Sequence, residues 1–162
     1  MTDELLDRAS FLATLPRRRI GAAAVFTDEA GRVLLVEPNY RADWILPGGT
    51  VETDESPRLG CRREVLEELG LDREPGRMLT VDWIPPVPPT DPHGALIFTF
   101  DGGVLAAADI ERIRLQAEEL RSYRFVAAGE LGDFVNDINR GRVLASLSAL
   151  ADGTVQELIR GR

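Results

Sequence analysis

The stretch Gly48–Leu71, GGTVETDESPRLGCRREVLEELGL, sets Glu67 and Glu68 side by side with Glu64 one helical turn back. Like charges four residues apart destabilise an isolated helix by a few tenths of a kcal/mol. A counter-charge from outside the helix should offset that repulsion, and a bound cation is the obvious candidate. The flanks argue for a helix: Ser56 suits an N-cap, Pro57 the first helical position and Gly70 a C-terminal cap. Each helical residue turns by about 100°. With Leu59 at zero, Leu66, Leu69 and Val65 fall at roughly 340°, 280° and 240°. On the same wheel Glu67, Glu64 and Glu68 fall at roughly 80°, 140° and 180°. An apolar stripe of Leu59, Val65, Leu66 and Leu69 is thus expected to pack on a sheet, leaving the carboxylates pointing together into a cleft or solvent. Hard divalent cations such as Mg²⁺ take oxygen ligands of this kind and share them with substrate phosphates. Gly48 and Gly49 allow backbone carbonyls to approach closely. Gly60, on the acidic side, either opens room for a ligand or relieves crowding. A solvated acidic face is the plainer alternative.

Outward from this helix the pattern is mixed. Upstream, Leu5, Leu6, Ala9, Leu12 and Ala13 predict a short helix over residues 2–14, ended by Pro16. Residues 18–27 and 32–37 read as strands joined through the turn Asp28–Gly31, a hairpin. Trp44, Ile45 and Leu46 form a short apolar run stopped by Pro47. Downstream, Leu79, Val81 and Trp83 alternate in one strand, and Leu96, Phe98 and Phe100 in another. The intervening PPVPPTDPHG, Pro85–Gly94, reads as stiff and extended. A strand is expected over Tyr123–Val126 and a helical turn over residues 127–132. A last helix over Ile138–Leu150 should carry Val143, Leu144, Leu147 and Leu150 on one side. Strands on both sides of a central helix predict a layered α/β sandwich around a mixed sheet.

Composition narrows the function classes. The 162 residues suit one domain with a sizeable core. No apolar run approaches the roughly 20 residues that span a bilayer, and the acidic start MTDELLDRAS does not resemble a signal peptide. Cys61 is the only cysteine, which excludes an internal disulfide and fits a reducing cytoplasm. A net charge of −8 opposes adhesion to nucleic acid or anionic membrane, and would repel a phosphorylated substrate unless metal ions intervene.

From Gly49 the spacing is Gly, five residues, Glu55, seven residues, then Arg63-Glu64-Val65-Leu66-Glu67-Glu68-Leu69-Gly70-Leu71. This resembles the Nudix hydrolase signature at every defined position, a coincidence expected by chance with a probability on the order of 10⁻⁷. Leu46-Pro47-Gly48-Gly49 resembles the usual lead-in, and Glu52 a frequent extra acid. Glu118–Leu131 resembles a common downstream stretch, with Phe125 where Trp is usual. The resemblance covers most of residues 18–131. Residues 1–17 and 132–162 fall outside it, and the chain is read as an N-terminal helical segment, 1–17, followed by a hydrolase domain, 18–162, that includes the C-terminal helix. The resemblance implies an α/β/α sandwich. It also implies Mg²⁺- or Mn²⁺-dependent attack of water on a diphosphate phosphorus. The substrate class it implies is a nucleoside diphosphate linked to another moiety: a nucleotide sugar, a dinucleotide or a nucleoside triphosphate. Glu64, Glu67, Glu68 and the Gly48 carbonyl become the metal ligands, while Arg63 and Glu55 form an orienting ion pair. The base is a glutamate of the signature or one on a later loop, which Glu119 matches by its spacing to Phe125. An RNA-end pyrophosphohydrolase is disfavoured by the acidic balance, and a non-catalytic nucleotide sensor by the complete set of glutamates. Trp44 and Trp83 are weighed as base-stacking groups against packing, and Arg17–Arg19 as phosphate contacts against a solvated strand entry. His93 is weighed as a catalytic group against a solvated loop residue. A homodimer through the apolar N-terminal segment is expected by analogy alone.

Overall fold

The computed structural model describes residues 7–162. The start of the expected N-terminal helix lies outside them, and its described part is α1, Arg8–Thr14. The Asp7 carboxylate caps it by accepting from the Ala9 and Ser10 amides. α1 buries none of its residues, and Phe11, Leu12 and the following Leu15 stay exposed.

Next come β1 (Arg19–Asp28), β2 (Val33–Pro38), β3 (Gly48–Thr50) and α2 (Pro57–Leu69). Then follow β4 (Met78–Ile84), β5 (Ala95–Leu105), the short α3 (Ala107–Ile110) and β6 (Leu120–Val126). A 3₁₀ turn (Ala128–Asp133), α4 (Asp137–Asp152) and β7 (Gln156–Ile159) complete the order. The seven strands form one mixed sheet in the order β6-β2-β1-β5-β4-β7, with β3 also paired to β1. β1 runs parallel to β5 and β4 parallel to β7; the other pairs are antiparallel.

Two cores explain the layering. On one face Ala22, Ala24 and Phe26 of β1 meet Cys61, Val65 and Leu69 of α2. Val25, Leu35 and Leu79, by contrast, meet Val143 and Ala149 of α4. Alternation along β1 thus sends successive side chains to opposite layers, and the α/β/α sandwich expected from the sequence is present. Among the described residues no helix is long and apolar enough to cross a membrane.

The structure corrects several expectations. Leu59 and Leu66 are 53% and 46% exposed, so they are not the anchors of α2. The buried face is Gly60, Cys61, Val65, Glu68 and Leu69, which on the wheel turns the helix so that Glu68 enters the packed arc. The strand β4 is out of phase with its apolar alternation, because its register against β5 shifts between Met78 and Thr80. Thr80 and Asp82 are consequently fully buried while Trp83 is 38% exposed. The proline-rich segment folds back on itself instead of extending: Val87 and Asp91 exchange both backbone hydrogen bonds, at 2.7 and 2.9 Å. In α4, Leu144 is exposed and Ser146 and Ala149 take the buried positions. β3, α3 and β7 have no counterpart among the expected elements.

Candidate active site

Capping fixes where α2 begins and ends. The Ser56 hydroxyl accepts from the Leu59 amide, and Gly70 adopts the left-handed conformation with φ 69°. Between these ends Arg63 lies against the preceding loop. It gives Glu55 a two-pronged ion pair, Nη2 to Oε1 at 2.6 Å and Nε to Oε2 at 3.2 Å, and donates to the Thr50 carbonyl at 2.9 Å. The Arg63 guanidinium and the Glu52 amide, both donating to it, hold the Glu55 carboxyl below its ordinary range. Arg63 Nη1 also reaches Glu64 at 3.0 Å and Glu67 at 3.3 Å. The space beside Gly60 is taken by Glu55, whose Oε1 would lie 2.8 Å from an added Cβ. Gly60 therefore relieves crowding under the loop.

Glu68 is the unusual carboxylate. It is 3% exposed and accepts one hydrogen bond, from the Gly48 amide at 2.8 Å. Among the described residues it has no cationic partner within ion-pair distance. Burial pushes it up to about 8, the Gly48 amide opposes this, and the charges of Glu64, Glu119 and Glu67 add to it. Glu64 is also raised, first by burial, with Arg63 pulling the other way. Glu119 is exposed, just before β6, in the turn where the Gln116 amide donates to the Glu68 carbonyl. The fold thus sets Glu64, Glu68 and Glu119 within electrostatic reach of one another, while Glu67 stands half exposed at the rim.

Beside the carboxylates lies a cavity of about 230 Å³. β3 borders both: an added Cβ on Gly49 would sit 2.5 Å from the Glu64 carboxylate, and Gly48–Thr50 also line the cavity. Tyr40 lines it as well, and its phenol is raised by burial and then by the charges of Glu68 and Glu119, which places it between the two regions. Arg19 lines the cavity but is paired with Asp91 at 2.5 Å. His93 is exposed, and Trp44 packs edge-on against Phe134 with centroids 5.6 Å apart. Cys61, pushed up to about 12 by burial, is a packing residue with no thiolate to offer. Tyr40, Asp82, Asn139 and Arg142, which shape the cavity or its support, were not singled out from the sequence. A signal was present in Asp82, a lone acid between Val81 and Trp83.

The donor set suits a divalent ion in a particular way. Among the described residues no three acidic, histidine or cysteine side chains stand at caging distance. Mg²⁺ is usually held by one or two carboxylates together with waters and substrate phosphates, without a closed protein cage. A buried glutamate with no counter-charge, flanked by a second and a third, meets that description.

A sandwich of this topology with its carboxylate-bearing helix beside β3 defines a class before it defines a protein. Residues 17–147 match the family described as NUDIX domain, and the chain belongs to that family. A 56-residue stretch is 41% identical to a MutT-like protein of Streptomyces ambofaciens, covering 35% of this chain and 36% of that one. A 66-residue stretch is 36% identical to diphosphoinositol polyphosphate phosphohydrolase 2 of Rattus norvegicus, covering 40% of this chain and 37% of that one. The chain matches little more than a third of the length of these curated relatives. Among solved structures, a MutT protein from Methanosarcina mazei Go1 is similar with a TM-score of 0.64 at 27% identity, covering 85% of this chain and 95% of that one.

Proposed function

We propose that the chain is a metal-dependent hydrolase of a nucleoside diphosphate linked to another moiety, with water attacking a diphosphate phosphorus. The observation that carries this reading is Glu68, a buried carboxylate with one amide donor and, among the described residues, no cationic partner, beside a cavity able to take an organic group. Glu64, Glu67, Glu68 and the Gly48 carbonyl would hold Mg²⁺ or Mn²⁺. Such an ion neutralises phosphate charge and acidifies a coordinated water. The chain's own residues do the rest. Arg63 and Glu55 clamp the loop to α2 and fix where Glu64 and Glu68 stand. Gly49, lacking a side chain, leaves the Glu64 carboxylate its place. Glu119, exposed at the rim, accepts the proton of the attacking water.

Two outcomes follow for this site. Saturating Mn²⁺, at about a hundredfold excess over its Kd, should raise Tm by about 5 °C or more, read by differential scanning fluorimetry. Glu119→Gln should lower kcat by about 10²-fold, the usual worth of a general base, while Mn²⁺ affinity by electron paramagnetic resonance stays within about threefold. An equal loss of affinity would make Glu119 a ligand instead.

A hydrolysis screen over nucleotide sugars, dinucleotides, nucleoside triphosphates and capped RNA, with each ion and with products read by mass, tests the activity. Cleavage of a small diphosphate compound into two phosphate-bearing products is the expected result. Metal-dependent binding without turnover across the whole panel would make the chain a nucleotide sensor and overturn the proposal.

A further inference from the structure

The wall that α4 presents to the cavity is held by a buried network. Asp82, fully buried on β4, accepts from Arg142 Nε at 3.0 Å and Nη2 at 2.8 Å. Its carboxylate also accepts from the Gly161 amide, at 3.0 and 3.1 Å. Arg142 Nη1 donates to Asn139 Oδ1 at 2.7 Å. Arg142 and Asn139 both line the cavity. A guanidinium has five N–H groups, and these bonds engage three, leaving one on Nη1 and one on Nη2. The Asn139 oxygen is turned to Arg142, and among the described residues its NH₂ makes no hydrogen bond. The free hydrogen-bonding groups of these two α4 side chains are therefore mainly N–H donors.

The wall is rich in donors yet neutral. Arg142 is cancelled by Asp82, while the other two lining arginines, Arg19 and Arg41, are paired with Asp91 and Asp43 at 2.5 and 3.3 Å. A phosphate would prefer uncancelled charge. A planar neutral ring edged with carbonyl oxygens fits better, its faces against Ile20, Ile97 and Val143, which also line the cavity. Guanine presents N7 and O6 as acceptors and thymine or uracil presents O4, whereas adenine and cytosine present an exocyclic NH₂ at the corresponding edge. An NH₂ leaves the donor it faces unpaired, even where adenine N7 still serves another, and sites built to hydrogen-bond a partner reject a mismatched analogue strongly.

We infer that Arg142 and Asn139 select the nucleobase of the substrate, favouring oxo bases, guanine and uracil, over the amino bases adenine and cytosine. The inference rests on the diphosphohydrolase reading above and narrows its substrate. Asp82 is a positioning residue that fixes the guanidinium.

The test compares kcat/KM for ADP-, CDP-, GDP- and UDP-glucose, which share one leaving group. Alongside it, binding of AMP, CMP, GMP and UMP without added metal is followed by NMR titration. GDP- and UDP-glucose should exceed the other two by about 10- to 100-fold, mainly through KM, with the same order among the monophosphates. Asn139→Asp keeps an oxygen for Arg142 and replaces the NH₂ with an acceptor, so it should shift the preference by about tenfold toward the amino bases. Arg142→Lys, which loses the fork, should flatten the preference and checks the point should the first variant misfold. Monophosphate preference without hydrolysis of any compound in the full screen described above would sink the hydrolase reading and leave the base assignment standing. Hydrolysis of all four within threefold, or monophosphates bound without preference, would overturn the base assignment alone.

Discussion

Glu68→Gln is expected to lower kcat by about 10²-fold or more while leaving the metal-free protein at least as stable as the parent. Residues that merely orient a metal ligand are worth about 10–100-fold, and Glu68 is proposed to be a ligand itself. The stability half of the expectation comes from burial. A carboxyl raised to about 8 is held at an energetic cost near neutral pH, because the unfolded chain ionises it freely. Gln accepts the same Gly48 amide bond without carrying charge. Removing the charge should therefore stabilise the metal-free fold by on the order of 1–3 kcal/mol at pH 7. Urea titrations in chelator together with initial rates in Mg²⁺ check both halves. A variant that is equally active, or active in proportion to a lost fold, would remove Glu68 from the metal site.

The second large effect separates the two faces of α2. Leu69→Ala, at a fully buried position, should cost about 2–5 kcal/mol as a core truncation. For a chain of this length that is roughly 5–20 °C in Tm. Leu66→Ala, three residues earlier but 46% exposed, should stay within about 0.5 kcal/mol. Thermal unfolding of the pair decides the matter, and equal losses would mean that α2 is turned differently on the sheet.

That contrast shows how far the sequence carries. Capping at Ser56 and Gly70, the hairpin turn and the family signature are local, and local chemistry was enough to find them. The rotation of α2 was not local. Its helical wheel counted Leu59 and Leu66 as anchors because they are apolar, and counted Glu68 as outward because it is charged. The structure buries Glu68 beside Cys61 and Val65, reversing that logic at one residue. A buried carboxylate is what hydrophobic periodicity is least able to anticipate. The same holds for Asp82: a shifted register against β5 sends it inward, and alternation along β4 alone assigns it outward. β7 has no counterpart in the sequence reading because GTVQELIR has only short apolar content, and its partner β4 lies 76 residues away along the chain, with the registers Thr80 to Gln156 and Trp83 to Ile159. The metal ligands and the base come from the family resemblance and not from any local pattern, and the experiments on Glu68 and Glu119 test them directly.

The family match stops at residue 147, inside α4, and the fold does not stop there. The guanidinium of Arg77 is anchored by carbonyls at Ala149, Leu150 and Thr154, and the Gly161 amide caps the Asp82 carboxylate. Trimming the polypeptide at the family boundary would strip a strand from the sheet and turn β4, with Val81 and Trp83, into an open rim inviting self-association. It would also loosen the guanidinium that faces the cavity. The last fifteen residues, beyond the family match, are the brace behind the cavity wall.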